Sequence, residues 1–363
     1  MTRREPLRVA VVGAGNMGTV HLNHLRTLER EGLAVAVGVA EPDPRRRERC
    51  ALQFGIEVFP DQSEMLDRTD PEAVIIAVPN RFHAETTIEA LGREKHVLLE
   101  KPPGMNVAEV KLMAEAADRA GRVLLQALVY RHMVPTAKPF VEELGAIYLA
   151  ETWWQRRRGI PASGTFTDPE LAGGGAFIDL GVHVVDLAWW LMGCPRPLRV
   201  GGTIFSHLGR RSRVGLLGPW DRTRFAVEDT ATATIMFPEK VKLQSHVAFA
   251  SNFPKQENAG IHLHGLDGGM KLRLMTTQKR FKKRFRPRLY GERHEALTNT
   301  KIGPPNPPTI PEAYLRQLRH FVACCRGDAE PIVTLEQMVQ LQEMIDGLYR
   351  SASGIGQVVL AEE

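Results

Sequence analysis

Cysteine is scarce in this chain of 363 residues, and no two cysteines form a Cys-x-x-Cys pair. The four are Cys50, Cys194, Cys324 and Cys325. Two of them are adjacent, and neighbouring cysteines rarely bridge each other without strain. The sequence therefore excludes a disulfide framework and predicts a reducing, cytoplasmic compartment.

Long apolar runs are lacking as well. Arg3 and Arg4 resemble the start of an export signal, but the apolar segment Leu7–Val12 behind them ends at Gly13. A signal peptide needs a longer apolar stretch and a small-residue cleavage site, and a membrane span needs about 20 apolar residues. The sequence predicts a buried strand here and no membrane partner.

A large excess of charge is also absent, since the formal net charge is only +5. Much of the positive excess lies in Lys279–Arg288, where phenylalanines separate the cations. That pattern is superficially typical of nucleic-acid binding, but the rest of the chain does not support it. We expect a solvated edge first, contact with an acidic or phosphorylated substrate second, and no nucleic acid.

Alternating short apolar runs and amphipathic segments are present over the first part of the chain. Continuous apolar strands are typical of a parallel sheet that helices cover on both faces. The pattern predicts a doubly wound Rossmann sheet over residues 1–128. Predicted strands are Leu7–Val12, Ala34–Ala40, Val74–Val78, His96–Leu99 and Val123–Leu128, and predicted helices are Met17–Glu31, Pro44–Phe54, His83–Arg93 and Val107–Ala120.

After residue 128 the pattern changes, and we predict a second domain over residues 129–363. A glycine-rich helix is predicted over Gly173–Met192, and two more over Pro311–Arg326 and Leu335–Ser353. Alternating segments predict an antiparallel sheet with one covered face. These segments are Thr230–Phe237, Lys242–Ala250 and Ile261–Leu266.

The residues Gly13-Ala14-Gly15-Asn16-Met17-Gly18 form a G-x-G-x-x-G pattern between the first strand and the first helix. The first glycine makes a tight turn, the second lets a pyrophosphate approach, and the third lets helix and strand pack closely. Glu41 follows the second strand, where a carboxylate binds ribose hydroxyls and repels a 2′-phosphate. The pattern favours NAD, and Arg45–Arg47 leave NADP possible.

Two further segments carry candidate catalytic groups. Lys101, in Glu100-Lys101-Pro102-Pro103, lies at the carboxyl end of a predicted parallel strand, where such sheets bind ligands. Asp179 and His183 lie one helical turn apart, so a carboxylate can orient an imidazole that accepts protons near neutral pH. The plain alternatives are a surface lysine and a buried structural Asp–His pair.

Four motifs in this order resemble the Gfo/Idh/MocA family of glucose-fructose oxidoreductases and inositol dehydrogenases. They are GAGNMG, Ala77–His83 (AVPNRFH), EKPP and GGGAFIDLGVHVVD, and the resemblance continues through Val227–Thr230 and Phe321–Leu360. It implies an α/β protein with a Rossmann domain and a C-terminal α/β domain with a large open, mostly antiparallel sheet. In the family that sheet often forms a homodimer or homotetramer surface.

The resemblance also implies the site. Lys101 would lie between nicotinamide and substrate hydroxyl, and the Lys101–Pro102 peptide bond would be cis. His183 would take the hydroxyl proton, and Asp179 would hold the histidine or bind a neighbouring hydroxyl. The implied cofactor-binding residues are Gly13, Gly15, Asn16, Met17, Gly18, Glu41, Ala77, Pro79, Asn80, His83, Glu100 and Lys101.

Candidate substrate contacts besides Asp179 and His183 are Tyr130, Arg131, Trp154 and Arg158. Aromatic faces and guanidinium groups suit sugars and anionic groups. Packing at the domain junction is an open alternative for Tyr130 and Arg131. For the Trp153–Pro161 segment, the open alternatives to a substrate contact are a solvated loop and a subunit contact.

His262 and His264 share one face of a predicted strand and could ligate a metal ion. No carboxylate or cysteine follows at a suitable spacing, so we predict a packed sheet face and no metal.

These patterns predict an NAD(P)-dependent oxidoreductase that acts on a secondary alcohol or ketone of a sugar, cyclitol or related polyol. Two alternatives remain. One is a glycosidase that uses NAD transiently for oxidation and elimination, and the other is a non-catalytic dinucleotide-binding regulator.

Overall fold

The computed structural model describes residues 4–134, 137–162, 164–212, 214–275, 284–293, 296–301 and 308–362. Its residues form two compact units. The first unit begins with alternating strands and helices. They are β1 (Leu7–Val12), α1 (Asn16–Arg30), β2 (Ala34–Ala40), α2 (Pro44–Phe54), β3 (Val58–Phe59), α3 (Gln62–Thr69), β4 (Ala73–Ile76), α4 (His83–Gly92), β5 (His96–Leu99), α5 (Val107–Ala120) and β6 (Leu124–Gln126).

The six strands of this unit form a parallel sheet in the order β3-β2-β1-β4-β5-β6. Every residue of β4 is buried, as expected when helices cover both faces of a parallel sheet. The predicted doubly wound Rossmann sheet is confirmed. The elements β3 and α3 were not predicted, because a two-residue strand and a helix with mostly polar residues give little apolar pattern.

The second unit contains a sheet of nine strands among the described residues. In chain order its elements up to residue 301 are β7 (Ile147–Arg156), α6 (Pro169–Ala172), α7 (Val182–Leu191), β8 (Arg199–Phe205), α8 (Leu208–Arg211), β9 (Thr230–Met236), β10 (Lys242–Ala248), β11 (Glu257–Gly265), β12 (Gly269–Met275), β13 (Arg284–Arg293) and β14 (Ala296–Lys301), and its last strand is β15 (Val358–Val359). The strand order is β14-β13-β12-β11-β7-β10-β9-β8-β15. The strands pair antiparallel except β7 with β10. The large, mostly antiparallel sheet is confirmed.

The strand β7 lies in the middle of this sheet, and its side chains alternate between the two faces. Ala150, Thr152 and Trp154 are buried, whereas Glu151 and Trp153 are partly exposed. The helix α7 packs against β7 and β10. We call the face opposite α7 the open face; Glu151, His262 and His264 lie on it. Of the open alternatives for the Trp153–Pro161 segment, the solvated loop is therefore wrong for residues 153–156, which belong to a central strand.

The predicted helix Gly173–Met192 is divided in the structure. A π-helical turn covers Phe177–Gly181, and α7 follows it directly. By length and composition the stretch Pro169–Leu191 could cross a membrane, contrary to the expectation that no run is apolar enough. However, 78% of its apolar window is buried inside the protein, so its apolar surface already packs against other residues.

The last elements are α9 (Ile310–Cys325), α10 (Leu335–Arg350), a π-helical turn (Ser351–Ile355) and β15 (Val358–Val359). The first compact unit comprises residues up to Leu128 together with Tyr314–Val339, and the second comprises Val129–Ala313 and Gln340–Glu363. The structure thus differs from the predicted division in one segment. Residues 314–339 group with the first unit, through contacts such as that of Arg319 with Glu31 at the end of α1.

The basic stretch Lys279–Arg288 lies partly outside the described residues. Its last part, from Arg284, belongs to β13, and Arg288 is exposed. The predicted solvated edge stays a prediction.

Candidate active site

The glycine turn after β1 has the geometry that a dinucleotide pyrophosphate needs. Gly13 has a φ of +94°, and a Cβ there would lie 2.5 Å from the carbonyl oxygen of Ala77. A Cβ on Gly18 would lie 1.8 Å from the Gly13 carbonyl oxygen, whereas a Cβ on Gly15 would meet nothing within 4 Å. The first and third glycines therefore permit close packing, and the second leaves open space beside the N-terminus of α1. This cradle fits NAD.

Glu41 holds the same turn from the end of β2. One carboxylate oxygen accepts a hydrogen bond of 2.8 Å from the Ala14 amide, and the other accepts one of 3.1 Å from the Asp43 amide. Arg45 and Arg46 lie exposed in the first turn of α2, and Arg47 donates to the carbonyl oxygens of Glu41 and Pro42. The arginines thus lie in the first turn of the helix that was predicted over Pro44–Phe54.

The remaining predicted cofactor residues lie at the same carboxyl edge of the parallel sheet. Asn16 and Met17 begin α1. Ala77, Pro79 and Asn80 follow β4 and are half-buried, and Ala77 donates its amide hydrogen to the carbonyl oxygen of Val12 at 2.8 Å. Lys101 follows β5, is half-buried, and precedes Pro102 through a cis peptide bond, as the family resemblance implied.

Two predicted cofactor residues, His83 and Glu100, stabilise the turn that carries Lys101. The ring of His83 has no exposed surface; its Nδ1 lies 2.9 Å from the Pro102 carbonyl oxygen and its Nε2 lies 3.2 Å from that of Val78. Burial lowers the pKa of His83 to about 4, so the ring is neutral near pH 7. Direct cofactor contact by His83 is therefore corrected to a positioning role between two loops.

Glu100 is also largely buried, and it connects the Lys101 turn with α1. Its Oε1 lies 2.8 Å from Nε2 of His21, and its Oε2 accepts the Lys101 amide at 3.2 Å. The sequence analysis missed His21. The available signal was its position in the buried stripe of α1, where it is the one polar side chain among Leu22, Leu25 and Leu28.

Asp179 and His183 lie in the second unit, on the segment that covers the sheet. Between Ala176 and Leu191 these two residues alone are partly exposed, and the other residues are buried. Asp179 lies in the π-helical turn and His183 near the start of α7. An otherwise buried helix therefore brings one carboxylate and one imidazole to its surface.

The His183 ring lies against two aromatic rings. Its centroid is 5.0 Å from that of Tyr130 and 5.8 Å from that of Trp154. The Trp154 indole N–H donates to Glu257 at 2.6 Å, which fixes this ring on β7. Tyr130 is 5% exposed and Trp154 is 3% exposed. Both rings thus chiefly position His183, and their predicted substrate contacts stay predictions.

The glycine-rich motif before Asp179 has a structural cause. Glu228 accepts hydrogen bonds from the amides of Gly175 and Phe177 and from the Tyr349 hydroxyl, at 2.8, 2.9 and 2.9 Å. Burial raises the pKa of Glu228 and that of Tyr349. A Cβ on Gly174 would lie 2.1 Å from the Tyr349 hydroxyl. Side chains far away in sequence therefore fix the start of the Asp179 turn.

Arg131 lies in the interior rather than at a surface. It has no exposed area, and its guanidinium donates to both oxygens of Asp186 at 2.7 to 3.2 Å. Burial raises the pKa of Asp186, and Arg131 opposes that shift. This geometry corrects the predicted substrate contact of Arg131 in favour of packing. Arg158 is half-buried and donates to Ser251 and Asn252.

Comparison with known proteins identifies the family. Residues 7–128 match the Gfo/Idh/MocA model described as "Oxidoreductase family, NAD-binding Rossmann fold", and residues 141–360 match "Oxidoreductase family, C-terminal alpha/beta domain". The chain is similar to the D-glucoside 3-dehydrogenase of Escherichia coli (strain K12), with 30% identity over 356 residues, 96% of this chain and 95% of that protein.

Two further proteins are similar to this chain, one over about half of it and the other over nearly its whole length. The glucose-6-phosphate 3-dehydrogenase of Bacillus subtilis (strain 168) is 29% identical over 192 residues, 51% of this chain and 53% of that protein. The solved structure of levoglucosan dehydrogenase in complex with NADH superposes with a TM-score of 0.81 at 22% identity, covering 99% of this chain and 100% of that one. That structural likeness shows the fold. The chain therefore belongs to the Gfo/Idh/MocA family of oxidoreductases, with an NAD-binding Rossmann domain.

Proposed function

We propose that this protein oxidises the C3 hydroxyl of a glucoside with NAD as hydride acceptor. The observation that carries the proposal is the pair of partly exposed polar side chains, Asp179 and His183, on an otherwise buried helix. Ionisable side chains that open to solvent on an otherwise apolar helix are typical of functional sites. The choice of C3 rests on two relatives, both named as 3-dehydrogenases of glucose derivatives.

Each residue of the proposed catalytic set has a separate role. His183 accepts the proton of the substrate hydroxyl, because a neutral imidazole is a suitable general base near pH 7. Lys101 stabilises the developing alkoxide with its positive charge. Asp179 orients His183 or binds a neighbouring hydroxyl. NAD, when bound at the glycine turn, supplies the hydride acceptor.

The surroundings of these groups support precise placement. The rings of Tyr130 and Trp154 limit the orientations of the His183 imidazole. His83 and Glu100 hold the turn that contains Lys101. Fixed positions lower the reorganisation that the reaction requires.

The test is NADH formation from methyl glucoside by the purified protein, followed by absorbance. We expect His183→Asn and Lys101→Met to lower kcat by about 100-fold to 10,000-fold while NAD binding, measured by fluorescence titration, persists. His246→Asn is the matched control, because His246 lies on β10 and contacts Gln155, away from His183. Its activity should equal that of the wild type.

The alternatives give different outcomes in the same assay. A glycosidase of this family would release free sugar without net NADH. A dinucleotide-binding regulator would show NAD binding, no turnover with any glucoside, inositol or keto-sugar, and no effect of Lys101→Met on its biological activity.

A further inference from the structure

Three side chains with metal-binding atoms converge on the open face of the second sheet. They are Glu151 on β7 and His262 and His264 on β11, and their candidate ligand atoms all lie within 4.8 Å of one another. Oε2 of Glu151 lies 2.9 Å from Nε2 of His264 and 3.6 Å from Nδ1 of His262. The cluster is separate from His183, which packs with Trp154 on the covered face.

The pairing of β7 with β11 explains the convergence. Glu151 lies directly opposite His262 in the antiparallel register. His264 is two residues further along β11, so its side chain points to the same face as that of His262. No carboxylate partner for the two histidines was predicted, because none lies at a suitable spacing along the chain. The sheet instead supplies one that is 113 residues from His264.

We propose that Glu151, His262 and His264 bind a divalent transition-metal ion of the zinc class. Imidazole nitrogens and a carboxylate oxygen are ordinary zinc ligands. Zinc bonds of about 2.0 Å in a tetrahedron place neighbouring ligand atoms about 3.3 Å apart. The two measured separations, 2.9 and 3.6 Å, lie on either side of that value. The ligand atoms of the two imidazoles lie within 4.8 Å of each other, so a side-chain shift of at most about 1.5 Å would complete the set.

The residues around the cluster leave it open to solvent and include one cation, Lys271, that weakens the binding of a metal ion. The side chains of His262 and His264 are 22% and 24% exposed, so an ion can enter from solvent. Lys271 lies opposite His262 in the pairing of β11 with β12, and its Nζ lies 5.3 Å from the Trp153 ring centroid. Its positive charge opposes that of the ion. Lys271→Gln should therefore tighten binding.

A bound ion would connect β7 with β11 and stabilise the folded protein by mass action. This role is independent of hydride transfer, so it stands or falls separately from the proposed dehydrogenase activity.

The test is calorimetric titration of the metal-free, full-length protein with zinc chloride. We expect one equivalent per chain with a Kd of about 1 µM or tighter. Glu151→Gln and His264→Asn should each raise the Kd about tenfold or more. His246→Asn, on the same face but in contact with Gln155, is the matched control and should bind as the wild type does.

Cobalt(II) provides a second measurement, because a four-coordinate cobalt site absorbs strongly in the visible region. The wild type and His246→Asn should show this spectrum, and Glu151→Gln and His264→Asn should lack it. Circular dichroism should show that all variants are folded. Absence of zinc binding by the folded wild type, or unchanged binding by both ligand variants, would overturn the proposal.

Discussion

At the residue scale, we predict that the Glu41 carboxylate makes the protein prefer NAD to NADP. It is 4% exposed and accepts hydrogen bonds from Ala14 and Asp43. A 2′-phosphate beside it would add a second negative charge at low dielectric, so NADP is disfavoured.

We predict that Glu41→Gln raises the ratio of kcat/KM for NADP to that for NAD about tenfold or more, because the amide removes the repulsion. Steady-state kinetics with both cofactors measure this ratio. The control is Glu48→Gln, an exposed residue of α2. Equal ratios in the wild type and Glu41→Gln would show that another group excludes the 2′-phosphate.

A substitution of Arg131 distinguishes a packing role from a substrate contact, because the first affects stability and the second affects KM. Its guanidinium is buried against Asp186, and removal of one partner leaves an uncompensated buried charge. We predict that Arg131→Met lowers the free energy of unfolding by about 3–5 kcal/mol. The double variant Arg131→Met/Asp186→Leu should recover much of the loss, as urea titration would reveal. A stable Arg131→Met protein with a raised KM would instead indicate a substrate contact.

At the scale of elements, His83 joins the loop after β4 to the turn after β5. Its pKa is about 4 in the folded protein, against about 6.5 in an unfolded chain. Below the unfolded pKa the unfolded chain takes up a proton that the folded protein does not. The free energy of unfolding therefore falls as the pH falls from about 6.5 to about 4, and this group contributes no pH dependence above that window.

We predict that His83 accounts for a loss of about 2 kcal/mol between about pH 7 and pH 5. His83→Asn retains a donor but does not titrate, so its unfolding free energy should fall less over the same interval. Urea unfolding at both pH values measures the difference. Parallel pH dependence in the two proteins would contradict the neutral, buried state of this ring.

The turn before Asp179 depends on two glycines that pack against distant elements. A Cβ at Gly174 would approach the Tyr349 hydroxyl of α10 to 2.1 Å, and one at Gly175 would approach the Glu228 carbonyl oxygen to 2.1 Å. We predict that Gly174→Ala lowers the free energy of unfolding by about 1–3 kcal/mol through overpacking. Thermal denaturation measures the change.

Gly92→Ala is the matched control, because a Cβ there meets nothing within 4 Å. Gly92 is the last residue of α4, where alanine should be neutral or stabilising by about 0.5–1 kcal/mol. Equal effects of the two substitutions would show that the close contact at Gly174 is not what requires glycine.

The sequence predicted those elements whose own residues carry a strong pattern. The glycine turn, Glu41 and the apolar parallel strands were found because each local sequence has a local physical cause. The strand β7 was missed, because Trp153-Trp154-Gln155-Arg156 resembles a binding loop until the sheet shows which side chains are covered. Partnerships such as Glu228 with Tyr349 span 121 residues, and no local pattern encodes them.

In the whole molecule, each of the two units is built from two separate segments of the chain, whereas the sequence predicted one segment for each. The boundary after Leu128 follows the change of pattern, but residues 314–339 return to the Rossmann unit. Tyr314 packs edge-on against His21, with centroids 6.1 Å apart, and Arg326 donates to the carbonyl oxygens of Glu5 and Leu33. These contacts depend on tertiary structure, which apolar periodicity does not reveal. Both C-terminal helices were therefore predicted to belong to the second domain. Association into a homodimer or homotetramer through the C-terminal sheet stays a prediction.

The proposed reaction transfers hydride from C3 of a glucoside to NAD. The most direct measurement uses methyl glucoside that carries deuterium at C3, with mass spectrometry of the cofactor after turnover. The proposal predicts deuterium in the reduced cofactor and a 3-keto glucoside as product. Reduced cofactor without deuterium, or turnover that leaves the deuterium on the sugar, would contradict it.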